Sequence, residues 1–257
     1  MINLDQMHFL KIHSNGFPYR VLVNGCSALF FESTSGCSAH LPIQQWIRPG
    51  QNMLSILPVL PPSTMIGEDS RIEVTMYLGS SIETLPLVQL SRSLTGYVTG
   101  NSSDPIVTPF VNRSNILPLK WDASSDLTKK DQLFQSLWIQ YSKIHKALEQ
   151  KNVDLIIELF RERSGDIAVR QGQSLSEFEF ALKDQFQKKL QEPGYILWPL
   201  KRENVQIAFY AEGKLACLET SDGCSPLLLF NKSEMMCSYF NTYLYQPAGQ
   251  NDLVIIR

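Results

Sequence analysis

A change in hydrophobic period, close to the middle of the chain, most constrains what this sequence can fold into. Through residue 126 the apolar residues come in short runs broken by turn chemistry. From Leu127 to Phe160 they recur at helical spacing instead. Phe134, Leu137, Trp138, Tyr141, Ile144, His145 and Leu148 fall on one wide, partly aromatic face, which predicts an amphipathic helix. Asn152 is placed to cap a second helix with Val153, Ile156, Ile157 and Phe160 on its buried side. The link Glu149-Gln150-Lys151 is short enough to make the two helices antiparallel neighbours.

Before the switch the pattern predicts strands at residues 8–12, 19–23, 28–31, 53–57, 72–77, 87–90 and 106–111. Turn signals separate them at Ser14-Asn15-Gly16, Asn24-Gly25, Ser33-Thr34-Ser35-Gly36 and Pro49-Gly50. Asn-Gly favours a tight hairpin because both residues tolerate positive φ, and Pro-Gly fits a type II turn. Pro58-Val59-Leu60-Pro61-Pro62-Ser63 reads as a stiff loop, and residues 99–125 as a long polar connection. Many short strands at close spacing predict a β-sandwich over residues 1–118.

After the switch the second helix is expected to end near Ser164-Gly165, with residues 166–170 as a short strand or turn. Ser174-Leu175-Ser176-Glu177 is a capping box, opening a third helix striped by Leu175, Phe178, Leu182, Phe186 and Leu190 and stopped by Pro193-Gly194. Strands are expected at 195–200, 205–210, 215–219, 227–230, 239–245 and 253–256 as one curled antiparallel meander. Charge supports a division into two domains. Residues 1–125 carry 7 Lys/Arg and 8 Asp/Glu, and residues 126–257 carry 16 and 17. The expected domains are 1–118 and 127–257, with 119–126 as linker.

Two resemblances follow from these patterns. Val21-Leu22-Val23-Asn24-Gly25, Leu41-Pro42-Ile43 and Arg48-Pro49-Gly50-Gln51-Asn52-Met53-Leu54-Ser55-Ile56 resemble the jelly-roll accessory modules of glycoside hydrolases. Those motifs are made of turn residues, so they speak to fold; a sugar-binding role would need Trp46 and Tyr19 exposed as stacking platforms. The order helix, helix, short strand, helix, meander over residues 127–257 resembles the NTF2-like (cystatin-like α+β) family, whose helices pack on a bent sheet.

The NTF2-like resemblance implies a cone between helices and sheet where a desolvated acid or His works as a base. Trp138, Tyr141 and His145 from the first helix, with Trp198 and Tyr210 from strands, are the candidate lining. No Asp or Glu on the helix stripe is spaced to orient His145. The four histidines lack zinc spacing, and there is no GxSxG, Walker or GxGxxG motif. No catalytic, metal or cofactor residues are assigned. The net charge of −2 gives no field favouring nucleic acid, and no apolar run is long enough to span a membrane. Five cysteines without a CxxC pair read as scattered thiols in a reducing compartment. Asn101, Asn112 and Asn231 begin N-x-S sequons that carry no meaning without export. With no basic n-region at its start the sequence reads as cytoplasmic, or periplasmic where an export signal has been removed.

The remaining expectation is a non-catalytic protein-binding module. It is similar in general kind to bacterial effector-immunity proteins, which implies a toxin or effector as partner. Glu158, Glu162, Glu177 and Glu179, on helix surfaces, are the candidate anchors for a basic partner. The competing expectation is a small-molecule enzyme or binding protein using the cone.

Overall fold

A computed structural model of the chain describes residues 7–60, 65–79, 86–93, 96–97, 104–113, 116–232 and 236–256. The chain's first six residues, the Pro61-Pro62-Ser63 end of the stiff loop and the Asn101 sequon lie outside them. The chain divides into two compact units, Met1–Leu119 and Lys120–Arg257.

Unit 1 contains β1 (His8–Asn15), β2 (Tyr19–Val23), β3 (Cys26–Phe31), β4 (Cys37–Pro42), β5 (Gly50–Pro58), β6 (Met65–Ile66), β7 (Arg71–Leu78), β8 (Val88–Ser93), β9 (Gly96–Tyr97) and β10 (Ile106–Asn112). Two four-stranded antiparallel sheets form, ordered β4-β1-β7-β8 and β10-β5-β2-β3, beside a small β6-β9 pair. Alternation decides what goes inside. Leu10, Ile12, Ile72, Val74 and Met76 from the first sheet and Val21, Val23, Leu54 and Ile56 from the second are fully buried, each set at the two-residue period of a half-buried strand. Ser14 Oγ reaches Tyr19 Oη, 2.9 Å away, joining a strand of one sheet to a strand of the other.

The turn chemistry of unit 1 has a structural use. Asn24 and Gly25 take φ of +53° and +74° between β2 and β3, the conformation a two-residue hairpin demands. The fully buried Asn52 accepts from Asn24 Nδ2 (2.8 Å) and Arg48 N (2.9 Å) and donates to Arg48 O and Gly50 O. Asn24 Oδ1 accepts from Met53 N, and Asn24 Nδ2 also donates to Trp46 O. The Val-Asn-Gly and Pro-Gly-x-Asn motifs are therefore two halves of one buttress. β4 was not expected from its sequence. Small and polar residues fill it, and it survives as an edge strand whose burial only alternates between half-buried and exposed.

Unit 2 contains α1 (Leu133–Glu149), α2 (Val153–Leu159), α3 (Arg161–Arg170) and α4 (Leu175–Gln191). Then come β11 (Tyr195–Leu197), β12 (Gln206–Tyr210), β13 (Leu215–Glu219), β14 (Leu228–Asn231), β15 (Met236–Tyr239), β16 (Leu244–Tyr245) and β17 (Val254–Ile255). Asp126 caps a 3-10 turn at Leu127–Lys129, so α1 begins only at Leu133. Asn152 caps α2 and Ser174 with Glu177 closes a capping box on α4, both as the sequence requires.

Two expectations fail in this unit. The second helix ends at Leu159 rather than near Gly165, and residues 166–170 are helical: α3 runs through Gly165, held by a buried Asp166–Arg170 pair (2.9 Å) at i,i+4 spacing. The strands also do not make one meander. They divide into β11-β14-β15 and β12-β13-β16-β17, and the run at 239–245 breaks between β15 and β16.

Candidate functional site

The five residues proposed to line a cone have separate environments. Tyr141 is fully buried: its hydroxyl donates to Thr242 O (2.7 Å) and accepts from Leu218 N (3.1 Å), tying α1 to β13. Burial, reinforced by the nearby Cys217, Glu219 and Tyr210, drives its pKa well above the ordinary tyrosine value. That hydroxyl is a structural clasp. Tyr210 donates to Glu219 Oε1 and packs edge-on against Tyr243 at 5.0 Å. Trp138 stacks on Phe134, whose ring also carries the Arg202 guanidinium at 5.0 Å. His145 Nε2 lies 3.0 Å from Trp198 O, a backbone carbonyl rather than a carboxylate, which joins two of the five. The Trp198 side chain itself is 54% exposed. His145 borders a hollow of about 400 Å³ with Leu148, Tyr195, Leu197 and Leu229.

The four acidic candidates fare unevenly. Glu177 is consumed by the capping box, whose hydrogen bonds from Ser174 hold its carboxyl below the usual glutamate range. Glu162 pairs with Lys120 and Glu179 sits 3.8 Å from Arg161. Glu158 is exposed on α2. In unit 1, Trp46 and Tyr19 are buried, which removes them as sugar-stacking platforms. Asn112 and Asn231 are also buried, so neither is presented as a glycosylation acceptor. All five cysteines are free thiols. Among the described residues no group of three or more His, Cys, Asp or Glu is placed to hold a metal ion, and no helix is long and apolar enough to cross a membrane.

Three features were not anticipated. The first is an apolar patch on the outer face of β5 and β10. Val107, Pro109 and Val111 point outward at alternate positions of β10, and Met53 lies opposite Pro109 on β5. Val107, Val111 and Met53 are 42%, 60% and 44% exposed. The signal was present as Val-Thr-Pro-Phe-Val, an alternating strand, but sequence alone does not say which face is wet.

The second is a hollow of about 570 Å³ beside that patch, bordered by His8, Leu78, Leu87, Pro109, Val111 and Arg113. His8 is buried there, its Nδ1 2.8 Å from Gln44 Oε1. Desolvation lowers its pKa despite hydrogen bonds to Gln44 and Asn112, which keeps the ring neutral near pH 7.

The third is a hollow of about 350 Å³ in unit 2, between α3, α4 and the β15 end, lined by Phe160, Arg163, Leu182, Phe186, Lys189 and Phe240. Phe186 and Phe240 stack at 5.6 Å, and Phe160 joins them at 6.5 Å from Phe186. Arg163 has a fully buried Nε with no hydrogen-bond partner, and burial pulls its pKa down to about 10. The side chain is still charged at neutral pH. Compared with known proteins, the chain matches no protein-family model, no curated protein and no solved structure.

Proposed function

We propose that the protein is a non-catalytic binding module that works by direct association with another protein. The observation that carries this reading is the outward patch of Met53, Val107, Pro109 and Val111 on β5 and β10. Scattered exposed apolar residues need no explanation. Four on one face of two paired strands, beside an open hollow with the exposed Leu87 on its border, form the contiguous apolar surface typical of interface cores. The patch replaces the acidic helix surfaces as the favoured contact, since three of the four glutamates already serve unit 2. The finer reading is an immunity protein that neutralises a bacterial toxin or effector. The fold is proposed as a jelly-roll-like sandwich followed by an NTF2-like unit. Two four-stranded sheets and helices that precede strands support this, while the division of the unit-2 strands between two sheets weighs against a single bent sheet.

A photo-crosslinking side chain at position 107 tests the binding reading in cells. A discrete adduct with another protein, lost on Val111→Glu, is expected; failure to form any adduct from positions 53, 107 or 111 contradicts it. An adduct partner that is toxic alone and harmless beside this chain supports the immunity reading, and a harmless partner opposes it.

A further inference from the structure

Arg163 is half-buried with its Nε fully enclosed, and taking part of a guanidinium out of water is costly unless paired charges and hydrogen bonds offset it. Arg163 has neither. Its Nε is unpartnered, and none of the residues lining its hollow is an acid. The Phe160 ring, 5.6 Å from the guanidinium carbon, compensates only in part. A second cation, Lys189, also borders the hollow, its ammonium resting 4.8 Å from the Tyr195 ring. The opposite wall is aromatic. The α4 stripe residues Leu182 and Phe186, expected in the core, stay half-buried because they face this space. Gln185 and Asn241 are exposed at its rim and supply neutral hydrogen-bonding groups.

We infer that this hollow is a binding site for a small planar aromatic acid, its carboxylate held by Arg163 and its ring against Phe160, Phe186 and Phe240. A guanidinium presents paired N–H donors that match the two oxygens of a carboxylate. A volume of about 350 Å³ suits a small molecule. The site lies wholly within unit 2 and is independent of the β5/β10 patch, so either can fail without the other.

The test is titration of the whole chain with 2-naphthoate, its neutral analogue 2-naphthamide, and inorganic phosphate, followed by calorimetry. Naphthoate should bind, and naphthamide at least tenfold more weakly. Arg163→Gln should lower naphthoate affinity at least tenfold. Leu182→Trp, which fills the hollow and leaves Arg163 in place, should do the same, so the test stands even if Arg163→Gln folds poorly. No naphthoate binding at millimolar concentration, equal affinity for the amide, or unchanged affinity in both variants would overturn the assignment. Phosphate binding as tight as naphthoate would also overturn it, because charge alone would then account for the site.

Discussion

Among the described residues the two units differ in the charge of the buried side-chain atoms left without a hydrogen bond: Gln45 Oε1 in unit 1 is neutral, whereas Arg163 Nε in unit 2 belongs to a cation. In unit 1 the hydrogen-bonded groups hold the chain in place. Asn52 divides its amide between the Arg48–Gly50 turn and Asn24, Asn24 ties the β2–β3 turn to Trp46 O and Met53 N, and His8 is matched by Gln44. In unit 2 the Tyr141 clasp and the Asp166–Arg170 pair are satisfied in the same manner, but Arg163 Nε and, next to it, Ser164 Oγ are buried without partners. Buried polar groups in folded proteins are paired with few exceptions, and each exception calls for a cause. The proposed ligand site would account for the cationic exception.

The largest expected effect comes from breaking the unit-1 buttress. Asn52→Ala removes a fully buried amide and the four hydrogen bonds it makes to Asn24 Nδ2, Arg48 N, Arg48 O and Gly50 O, each worth about 1 kcal/mol, so a loss of about 3–5 kcal/mol is expected in chemical denaturation. A loss under about 1 kcal/mol would mean that the motif does not organise the turn. Tyr141→Phe should cost about 2–3 kcal/mol by leaving Leu218 N and Thr242 O unmatched. Hydrogen exchange should localise that loss to unit 2, and a loss spread over both units would blur the contrast drawn here.

A smaller effect sharpens the unit-1 side. His8 has a folded-state pKa below its ordinary 6.5, so the unfolded chain binds that proton more tightly. Stability of unit 1 should therefore fall as pH drops below about 6.5, the unfolded value, and be unaffected by this group above it. His8→Gln should flatten that part of the pH profile; an unchanged slope would place the acid sensitivity elsewhere. The smallest effect on stability belongs to Val111→Glu, within about 0.5 kcal/mol because the side chain is on the surface. The same change should abolish crosslinking from position 107.

Much of this architecture was legible in the residues. Alternating runs such as Ile72-Glu73-Val74-Thr75-Met76 and the capping box at Ser174 announce their own geometry, because burial on one face leaves a period and an orphan helix N–H selects a side chain. What was hidden depended on pairing across distance. α3 needed a buried ion pair to carry a helix through Gly165. The division of the last strands into two sheets is set by which neighbours bond, which no local pattern records. Trp138, Tyr141 and His145 lay on a correct helical stripe, yet the stripe points Tyr141 into backbone partners rather than into a cavity. Arg163 was invisible for the same reason: an arginine at the start of a polar helix ordinarily lies in solvent, and only the packing around it reveals that its Nε is enclosed.

The comparison is tested most directly by equilibrium denaturation of Arg163→Met with no ligand present. If Arg163 is kept for binding, replacing a half-buried guanidinium whose enclosed Nε is uncompensated by an apolar side chain of similar length should raise stability by about 1 kcal/mol. The sign is opposite to that expected for Asn52→Ala. A fall of about the same size would show that Arg163 belongs to the fold after all and would contradict the distinction between the units.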